Sequence, residues 1–232
     1  MQNVDADEQA QFSALAAQWW ELDGPMAPLH DLNPLRFDYV CEFANPQQDT
    51  RILDIGCGGG LLTESLADIS AHVEGLDASA DLIEVARQHA IFGHRKIDYH
   101  HTSAEEFATR HSAGFDIVTC MELIEHVPDP QSLVRACADL TASGGWIFFS
   151  TINRTLAAYL GAITLAEYLL RLLPRGTHDY AKFLKPAELV AMGREAGLSV
   201  TDISGMSYHP YRRRARRVTE VGVNYLVALR KS

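Results

Sequence analysis

Residues 51–60 read Arg-Ile-Leu-Asp-Ile-Gly-Cys-Gly-Gly-Gly, an apolar strand that runs directly into a glycine-dense turn. An acidic residue, Asp77, ends the next apolar run, which covers 73–76. Glycine lets a backbone turn tightly and lets a ligand approach where no Cβ stands in the way. A carboxylate at the tip of the second strand can accept both hydroxyls of a ribose. Together, the turn and the carboxylate predict an adenosine-containing cofactor.

The spacing of the glycines separates two classes of cofactor. Dinucleotide-binding folds use G-x-G-x-x-G and keep the helix N-terminus free for a pyrophosphate. Here glycines occupy 56 and 58–60, and Asp54 stands two residues before the first of them. A carboxylate at that place repels phosphate and suits a cationic group, such as the amino group of S-adenosylmethionine. Asp54, Gly56 and Gly58 are therefore predicted to contact that cofactor.

The order of the predicted elements gives the fold class. Strands are predicted at 51–55, 72–76, 97–101, 115–120 and 146–151, and they alternate with helices at 60–69, 79–92, 104–110 and 131–141. This alternation predicts an α/β fold with a doubly wound, Rossmann-like parallel sheet that binds ligands at the carboxyl ends of its strands. Helices at 5–20 and 34–44 precede the core, and a helix at 186–196 and strands at 198–204 and 223–229 follow it. With the glycine turn and Gly-Leu-Asp at 75–77, the pattern resembles class I S-adenosylmethionine-dependent methyltransferases. In that class the last strand is antiparallel and lies between the previous two.

The length predicts one domain with modest additions. The 232 residues, 47% of them hydrophobic, are enough for one proper core. We divide residues 1–232 into an N-terminal helical cap (1–45), a cofactor-binding core (46–152), an apolar insertion after the fifth strand (153–185) and a C-terminal part of the core (186–232).

Charge and cysteine content exclude other classes. The net charge of −10 argues against general binding of nucleic acid. None of the four cysteines is in a C-x-x-C pair, which predicts neither a zinc site nor a disulfide framework and fits a reducing cytoplasm. The acidic N-terminus is unlike a signal peptide, and the sequence has no uncharged apolar stretch long enough to span a membrane.

A second set of chemical groups follows the fourth predicted strand, in the segment Met121-Glu122-Leu123-Ile124-Glu125-His126. Carboxylates three positions apart lie on one side of a helical turn, here with an imidazole beside them. This set suits a divalent ion such as Mg²⁺, Mn²⁺ or Zn²⁺. Alternatively, His126 is a general base that takes a proton from a hydroxyl. Glu122, Glu125 and His126 are thus predicted as catalytic residues and as metal ligands; the structural alternative is that the carboxylates cap a helix or pair with arginines.

Longer motifs resemble one family more narrowly. They are Gln-Trp-Trp at 18–20, Pro-Leu-His-x-x-Asn-Pro-Leu-Arg at 28–36, Cys-Met-Glu-x-x-Glu-His-Val-Pro-Asp-Pro at 120–130, Gly-Thr-His-Asp at 176–179 and Lys-Phe-x-Lys-Pro-Ala-Glu-Leu at 182–189. All are similar to the ubiquinone-biosynthesis O-methyltransferase family, over nearly the whole chain. The resemblance implies methylation of hydroxyls on polyprenyl phenol and catechol intermediates, at both O-methylation steps of ubiquinone biosynthesis.

The resemblance also implies roles for single residues. Arg36 would hold the carboxylate of the cofactor's methionine part, and Met121 would contact the adenosine. Asp77 would bind the ribose, and Gly56 the cofactor through its backbone. Glu122, Glu125 and His126 match the metal and catalytic cluster that is proposed for the family. Ser103 and Ala104 follow the third strand, where such folds contact adenine.

The insertion is apolar nearly all round. Residues 155–173 contain only two charges, Glu167 and Arg171. Such a segment is buried, lies on a membrane surface or forms a lid. Because a polyprenyl substrate stays in the bilayer, we expect 153–185 to be a membrane-contacting lid on a cytoplasmic enzyme at the inner face of the membrane. Anionic lipids and other ubiquinone-biosynthesis proteins are the expected partners besides the substrate, and a core helix is the alternative.

Other functions stay open at this point. A nicotinamide oxidoreductase is disfavoured by Asp54 and by the glycine spacing. A non-catalytic cofactor-binding subunit is disfavoured by the cluster at 122–126. A methyltransferase for another small phenolic or lipid substrate is the nearest alternative. The basic run Arg212–Arg217 departs from the family pattern as we know it, so substrate contacts on that side do not transfer simply.

Overall fold

The computed structural model describes residues 3–111, 113–155 and 182–232. Its helices are α1 Ala6–Ala14, α2 Ala27–Ala44, α3 Leu61–Ala67, α4 Ala80–Phe92, α5 Ala104–Arg110, α6 Pro130–Leu140 and α7 Pro186–Glu195. Its strands are β1 Arg51–Ile55, β2 His72–Asp77, β3 Asp98–His101, β4 Phe115–Met121, β5 Thr141–Ile152, β6 Leu198–His209, β7 Arg214–Val218 and β8 Asn224–Lys231. Short 3₁₀ turns cover Ala16–Gln18, Ile124–His126 and Pro210–Arg212.

The strands of the described residues form one sheet, in the order β3-β2-β1-β4-β5-β8-β6-β7. The first five strands are parallel. β8 is antiparallel to β5 and to β6 and lies between them, as the resemblance predicted. The chain order reverses between β1 and β4, and doubly wound sheets bind their ligands at the strand ends beside such a switch point.

Helices cover both faces of the sheet, because its central strands are apolar on both sides. One buried cluster joins the sheet to α5, α6 and α7 through Phe107, Leu133 and Leu189. Another joins it to α2 and α3 through Tyr39 and Leu66. Burial on both faces is typical of a parallel sheet. The alternation that predicted a doubly wound fold is confirmed.

Two helix predictions near the N-terminus were wrong in their bounds. The helix expected at 5–20 ends at Ala14, and the tighter turn after it directs Leu15, Ala16 and Trp19 into one buried cluster. The helix expected to start at Pro34 starts at Ala27 and contains Pro34 in its interior. An interior proline removes a backbone hydrogen bond, but Leu32, Tyr39 and Val40 on either side of it pack into one buried cluster with the sheet.

The C-terminal part contains a strand that the sequence did not predict. β7 pairs with β6 at the edge of the sheet, and three of its five residues are arginine. Charged side chains are common on edge strands, where they discourage pairing with other chains.

Most of the insertion, residues 156–181, lies outside the described residues. The lid prediction and the Gly-Thr-His-Asp segment at 176–179 fall there. Among the described residues, no helix combines the length and the apolar character needed to cross a membrane.

Candidate active site

One cavity of about 1130 Å³ opens at the carboxyl ends of the strands. All of the residues predicted for the site line it: Arg36, Asp54, Gly56, Gly58, Asp77, Ser103, Ala104, Met121, Glu122, Glu125 and His126. They come from α2, from the last residues of β1, β2 and β4, and from the segments that follow β1, β3 and β4. The parallel topology brings these loops to one edge of the sheet. Their individual roles stay predictions.

The loop after β1 and the carboxylate after β2 are joined directly. Asp77 accepts hydrogen bonds from the backbone N–H of Gly58 at 3.0 Å and of Ser79 at 2.8 Å. A carboxylate has about four acceptor positions, so two remain for hydroxyl groups. Burial raises the pKa of Asp77, against the opposing effect of these two hydrogen bonds. The arrangement suits binding of a ribose at this place.

Two tryptophan side chains of the N-terminal segment contact the glycine turn. Gly58 has φ +54°, which a side chain would strain, and a Cβ there would lie 2.3 Å from the ring of Trp19. A Cβ on Gly59 would lie equally close to the same ring. The indole of Trp20 donates to the carbonyl of Gly59 at 3.0 Å. Because Gly58 and Gly59 lack a Cβ, the ring of Trp19 can pack against the turn. The sequence did not indicate this role of the two glycines.

Arg36 is a buried cation with spare hydrogen-bond donors. It is 5% exposed, and its Nη2 lies 3.2 Å from Oε1 of Glu122. Its Nε and Nη2 make no hydrogen bond within the described residues. Leaving buried donors unpaired is unfavourable, so a carboxylate in the cavity would satisfy them. This agrees with the predicted role toward the methionine carboxylate of the cofactor.

Asp54 is buried at the end of β1 and is held by two hydroxyls. Thr63 donates to Oδ2 at 2.6 Å, and Thr119 donates to Oδ1 at 2.7 Å. Burial raises the pKa of Asp54 to about 6, although both hydroxyls and the charge of Arg36 favour the carboxylate. A cationic amino group next to Asp54 would bring that pKa down again.

Glu122 has an unusual backbone conformation, with φ +52°. Its N–H donates to the backbone oxygen of Ser150 at 3.0 Å, and Oγ of Ser150 donates to its Oε1 at 2.8 Å. Non-glycine residues in this region cost of order 1–3 kcal/mol and cluster at functional sites. The side chain is thereby placed between Ser150 and Arg36.

Glu125 is almost fully buried. Thr151 donates to Oε2 at 2.8 Å, while Oε1 has no hydrogen-bond partner in the described part of the chain. Burial, together with the nearby charge of Glu122, raises the pKa of Glu125. The group therefore has one free acceptor and a reduced tendency to ionise.

His126 lies in the 3₁₀ turn after β4. Its Nδ1 is 3.0 Å from Oε2 of Glu8, and its ring meets that of Phe12 edge to face at 5.2 Å. Burial disfavours the charged ring, but the hydrogen bond that the ring donates to Glu8 and the charges of Glu125, Glu8 and Glu122 outweigh it and raise the pKa of His126. The resulting imidazole is a stronger base than free histidine.

The predicted metal ligands each have a different protein partner. Glu122 faces Arg36 and Ser150, Glu125 faces Thr151, and His126 faces Glu8. Among the residues that the structure describes, no three His, Cys, Asp or Glu side chains are grouped so that they could hold a metal ion. The three groups do not fit a metal in this arrangement, and the metal site stays a prediction.

The adenosine side of the cavity is built from the loop after β3 and the end of β4. Ser103 caps α5, where its Oγ accepts from the N–H of Glu106 at 3.3 Å. Ala104 is the first residue of that helix, so its N–H has no partner within the helix. Met121 ends β4 and is buried. These positions suit contacts to a flat heterocycle.

Sequence reasoning missed two parts of the cavity wall. The N-terminal segment contributes Glu8, Phe12 and Trp19, and the β6–β7 hairpin contributes Tyr211 and Arg216. Glu8 lies in an acidic stretch that reads as solvated surface. The motif Gln-Trp-Trp was quoted for its resemblance, but nothing local indicated what Trp19 contacts.

Comparisons with known proteins agree on the family. The "Methyltransferase domain" family matches residues 29–203. A protein of Thiobacillus denitrificans named ubiquinone biosynthesis O-methyltransferase is 51% identical over 231 residues, which are 100% of this chain and 99% of that protein. One of the same name from Aromatoleum aromaticum is 52% identical, over 97% of this chain and 96% of that protein.

A solved structure supports the fold. Magnesium protoporphyrin IX methyltransferase of Synechocystis, crystallised with S-adenosylmethionine bound, superposes with a TM-score of 0.66 at 15% identity, covering 99% of this chain and 100% of that chain. At this identity the likeness concerns the fold alone, which is that of a class I methyltransferase. The relatives that are about half identical over nearly the whole chain show that it belongs to the ubiquinone biosynthesis O-methyltransferase family.

Proposed function

We propose that this protein transfers the methyl group of S-adenosylmethionine to a hydroxyl of polyprenyl phenol and catechol intermediates, at both O-methylation steps of ubiquinone biosynthesis. The names of relatives about half identical over the whole chain support the substrate class. One observation supports the chemistry: the predicted cofactor residues and the base His126 line a single cavity.

The cofactor supplies an activated methyl group when it is bound, and this chain's residues place it. Arg36, with its unpaired buried donors, would hold the carboxylate, and Asp54 would face the amino group. Asp77 would accept the ribose hydroxyls. Together these residues would hold the cofactor in one orientation, and alignment of the reacting groups contributes much of the rate in such reactions.

A proton must leave the acceptor oxygen. A phenol has a pKa near 10, so only about a thousandth is ionised at neutral pH. His126 would accept that proton, which leaves an electron pair on the oxygen for the methyl group that bound S-adenosylmethionine supplies. General base catalysis of this kind is worth about 10²–10⁴-fold. The raised pKa of His126 suits the task.

Turnover with labelled cofactor tests the proposal. We expect the enzyme to transfer the radiolabelled methyl group of S-adenosylmethionine to short-chain prenyl catechols. His126→Ala should lose at least about 100-fold in kcat, whereas the exposed His72→Ala should match the wild type. Transfer to simple phenols but not to prenyl catechols would favour another phenolic substrate. If His126→Ala kept full activity, the assignment of His126 as the general base would be wrong.

Turnover measured in the presence of a chelator tests the prediction of a metal ion. If a divalent ion acts on the oxygen, chelation abolishes turnover while S-adenosylhomocysteine still binds in calorimetry. If chelated enzyme keeps its full rate, His126 alone accounts for the deprotonation.

We also propose that the cytoplasmic protein attaches to the anionic inner face of the membrane. Within the described residues, the β6–β7 hairpin supports this. Arg213 pairs with Asp31 and Arg217 with Glu42, whereas the exposed Arg214 and Arg216 have no carboxylate partner there. Arg216 lines the cavity, so at least one of these arginines lies at its rim. A basic residue near an anionic surface contributes about 1 kcal/mol.

Liposome flotation tests the attachment. Arg214→Gln with Arg216→Gln should reduce flotation with anionic vesicles, and the matched pair Arg135→Gln with Arg194→Gln, on exposed positions of α6 and α7, should not. Salt should weaken the wild-type binding. If the two double variants float equally, another part of the chain attaches the protein. We propose the apolar insertion for that role.

The insertion is tested separately, because most of it lies outside the described residues. The division into cap, core, insertion and C-terminal part is likewise kept as a proposal. Replacing Leu169, Leu170, Leu172 and Leu173 with Ser should release the protein from neutral vesicles if 153–185 contacts the bilayer. Unchanged flotation of a folded variant would make the segment a core helix or a lid without a membrane role.

A further inference from the structure

Glu8 is the buried residue of α1, on a helix whose other charged residue, Asp7, is exposed. It is 8% exposed, and its two oxygens have different partners. Oε2 accepts from Nδ1 of His126 at 3.0 Å, and Oε1 accepts from Nζ of Lys182 at 3.2 Å. A buried carboxylate is retained only with partners, and here both partners are chemically defined.

We propose that Glu8 is the positioning residue of His126: its carboxylate fixes the ring and its tautomer, and Lys182 holds Glu8 in place. This rests on the proposed role of His126. A carboxylate accepts only, so Nδ1 must carry the proton of the neutral ring. Nε2 is then the nitrogen with a free lone pair, available to the acceptor oxygen.

Neighbouring contacts hold the start of α1, and with it Glu8, against the turn that carries His126. Phe12, one turn further along α1, packs against the His126 ring from the same helix. Asn3 exchanges two hydrogen bonds with the backbone of Asp129, at 2.9 and 2.6 Å, just after the turn that carries His126. The segment before and within α1 is thus attached on both sides of the imidazole.

The charges agree with this arrangement. Burial disfavours the charged form of Glu8, but the hydrogen bonds and charges of His126 and Lys182 outweigh it and lower the pKa of Glu8. Lys182 also pairs with Asp5 at 3.0 Å, which ties the last part of the insertion to the start of α1.

Kinetics of Glu8 variants test the proposal. Glu8→Ala should lower kcat by about 10–100-fold, the usual effect of removing a carboxylate that orients a histidine. The KM for S-adenosylmethionine should change less than threefold. Glu8→Gln keeps an acceptor oxygen and should recover most of the rate, and the neighbouring exposed Asp7→Asn should match the wild type. If Glu8→Ala keeps the wild-type kcat, or if only KM rises, Glu8 merely docks the helix.

Two further measurements separate this inference from the base assignment. With Glu8→Ala introduced into His126→Ala, no additional loss of kcat is expected; independent, multiplicative losses would contradict positioning. ¹⁵N spectra of histidine-labelled protein report the tautomer without turnover. The His126 ring, assigned by comparison with His126→Ala, should be protonated at Nδ1 in the wild type and mixed in Glu8→Ala. An unchanged tautomer would overturn the proposal even if His126 is the base.

Discussion

The loops that follow the strands and the N-terminal segment 3–26 line the same cavity, but different interactions hold them in place. The loops continue the sheet's hydrogen bonding: the N–H groups of Gly56 and Cys57 both donate to the carbonyl of Leu76, and that of Glu122 donates to Ser150. The N-terminal segment adds no strand. It is attached through side chains, such as Gln9 to the carbonyl of Ala78 at 2.5 Å.

This difference separates the parts of the site that the sheet forms by itself from those that dock on it. We expect the strand-end loops to resist local opening, because opening them breaks backbone hydrogen bonds to the sheet. The docked segment depends on a few buried side chains and can open locally at lower free energy. We therefore expect substitutions in segment 3–26 to loosen the site without unfolding the sheet, and substitutions in the loops to change ligand contacts directly.

Trp19→Ala should give the largest effect on stability. The ring is 6% exposed and lies over Gly58 and Gly59, so its removal leaves a cavity between segment 3–26 and the glycine turn. Loss of a buried tryptophan typically costs about 3–5 kcal/mol. Urea unfolding should show this decrease, and S-adenosylhomocysteine should bind more weakly.

Trp20→Phe is the matched control for Trp19→Ala. It removes the hydrogen bond to Gly59 but keeps a ring that can stack on His89, whose centroid is 3.4 Å away. One hydrogen bond contributes about 1 kcal/mol. An unchanged unfolding midpoint for Trp19→Ala would mean that segment 3–26 does not pack against the turn in solution.

Asp77→Ala should weaken cofactor binding tenfold or more, since a charge-assisted hydrogen bond contributes about 1.5–3 kcal/mol. Asp77→Asn keeps one acceptor oxygen and should lose less. The exposed Asp81→Ala, at the start of α4, removes the same charge nearby and should bind like the wild type. Calorimetry with S-adenosylhomocysteine measures all three. Equal affinity of Asp77→Ala and wild type would refute the ribose contact.

The sheet and its strand-end site could be predicted because their signals are local. Apolar runs alternate with helical segments, and apart from Arg36 on α2 the predicted residues, such as Asp77 and His126, lie at the end of a strand or shortly after it. Parallel topology then brings these positions to one edge. Asp54 and Glu122 are far apart in the sequence, but the parallel topology alone is enough to predict that they lie at the same edge of the sheet.

The docked parts could not be predicted, because their contacts are long-range and their local sequence suggests something else. Glu8 lies 118 positions from His126, in a stretch of acidic residues that reads as solvent-exposed. β7 is rich in arginine and gains its strand conformation from pairing with β6. Pro34 reads as the start of a helix, but packing of α2 on the sheet tolerates it in the interior.

The smallest expected effect is the pH dependence of ligand affinity that arises from Asp54, near the end of β1. Burial raises its pKa to about 6, so in the free protein the carboxylate predominates above that pH and the neutral acid below it. A cofactor whose cationic amino group faces Asp54 binds the carboxylate better. Affinity for S-adenosylhomocysteine should therefore be constant above pH 7 and fall by no more than about tenfold at pH 5, as expected one unit below the pKa. Asp54→Asn cannot titrate, so its affinity should be lower than that of the wild type at pH 7.5 and nearly independent of pH. Calorimetry between pH 5 and 8 decides this: a slope that persists in Asp54→Asn would assign the titration to another group in the cavity.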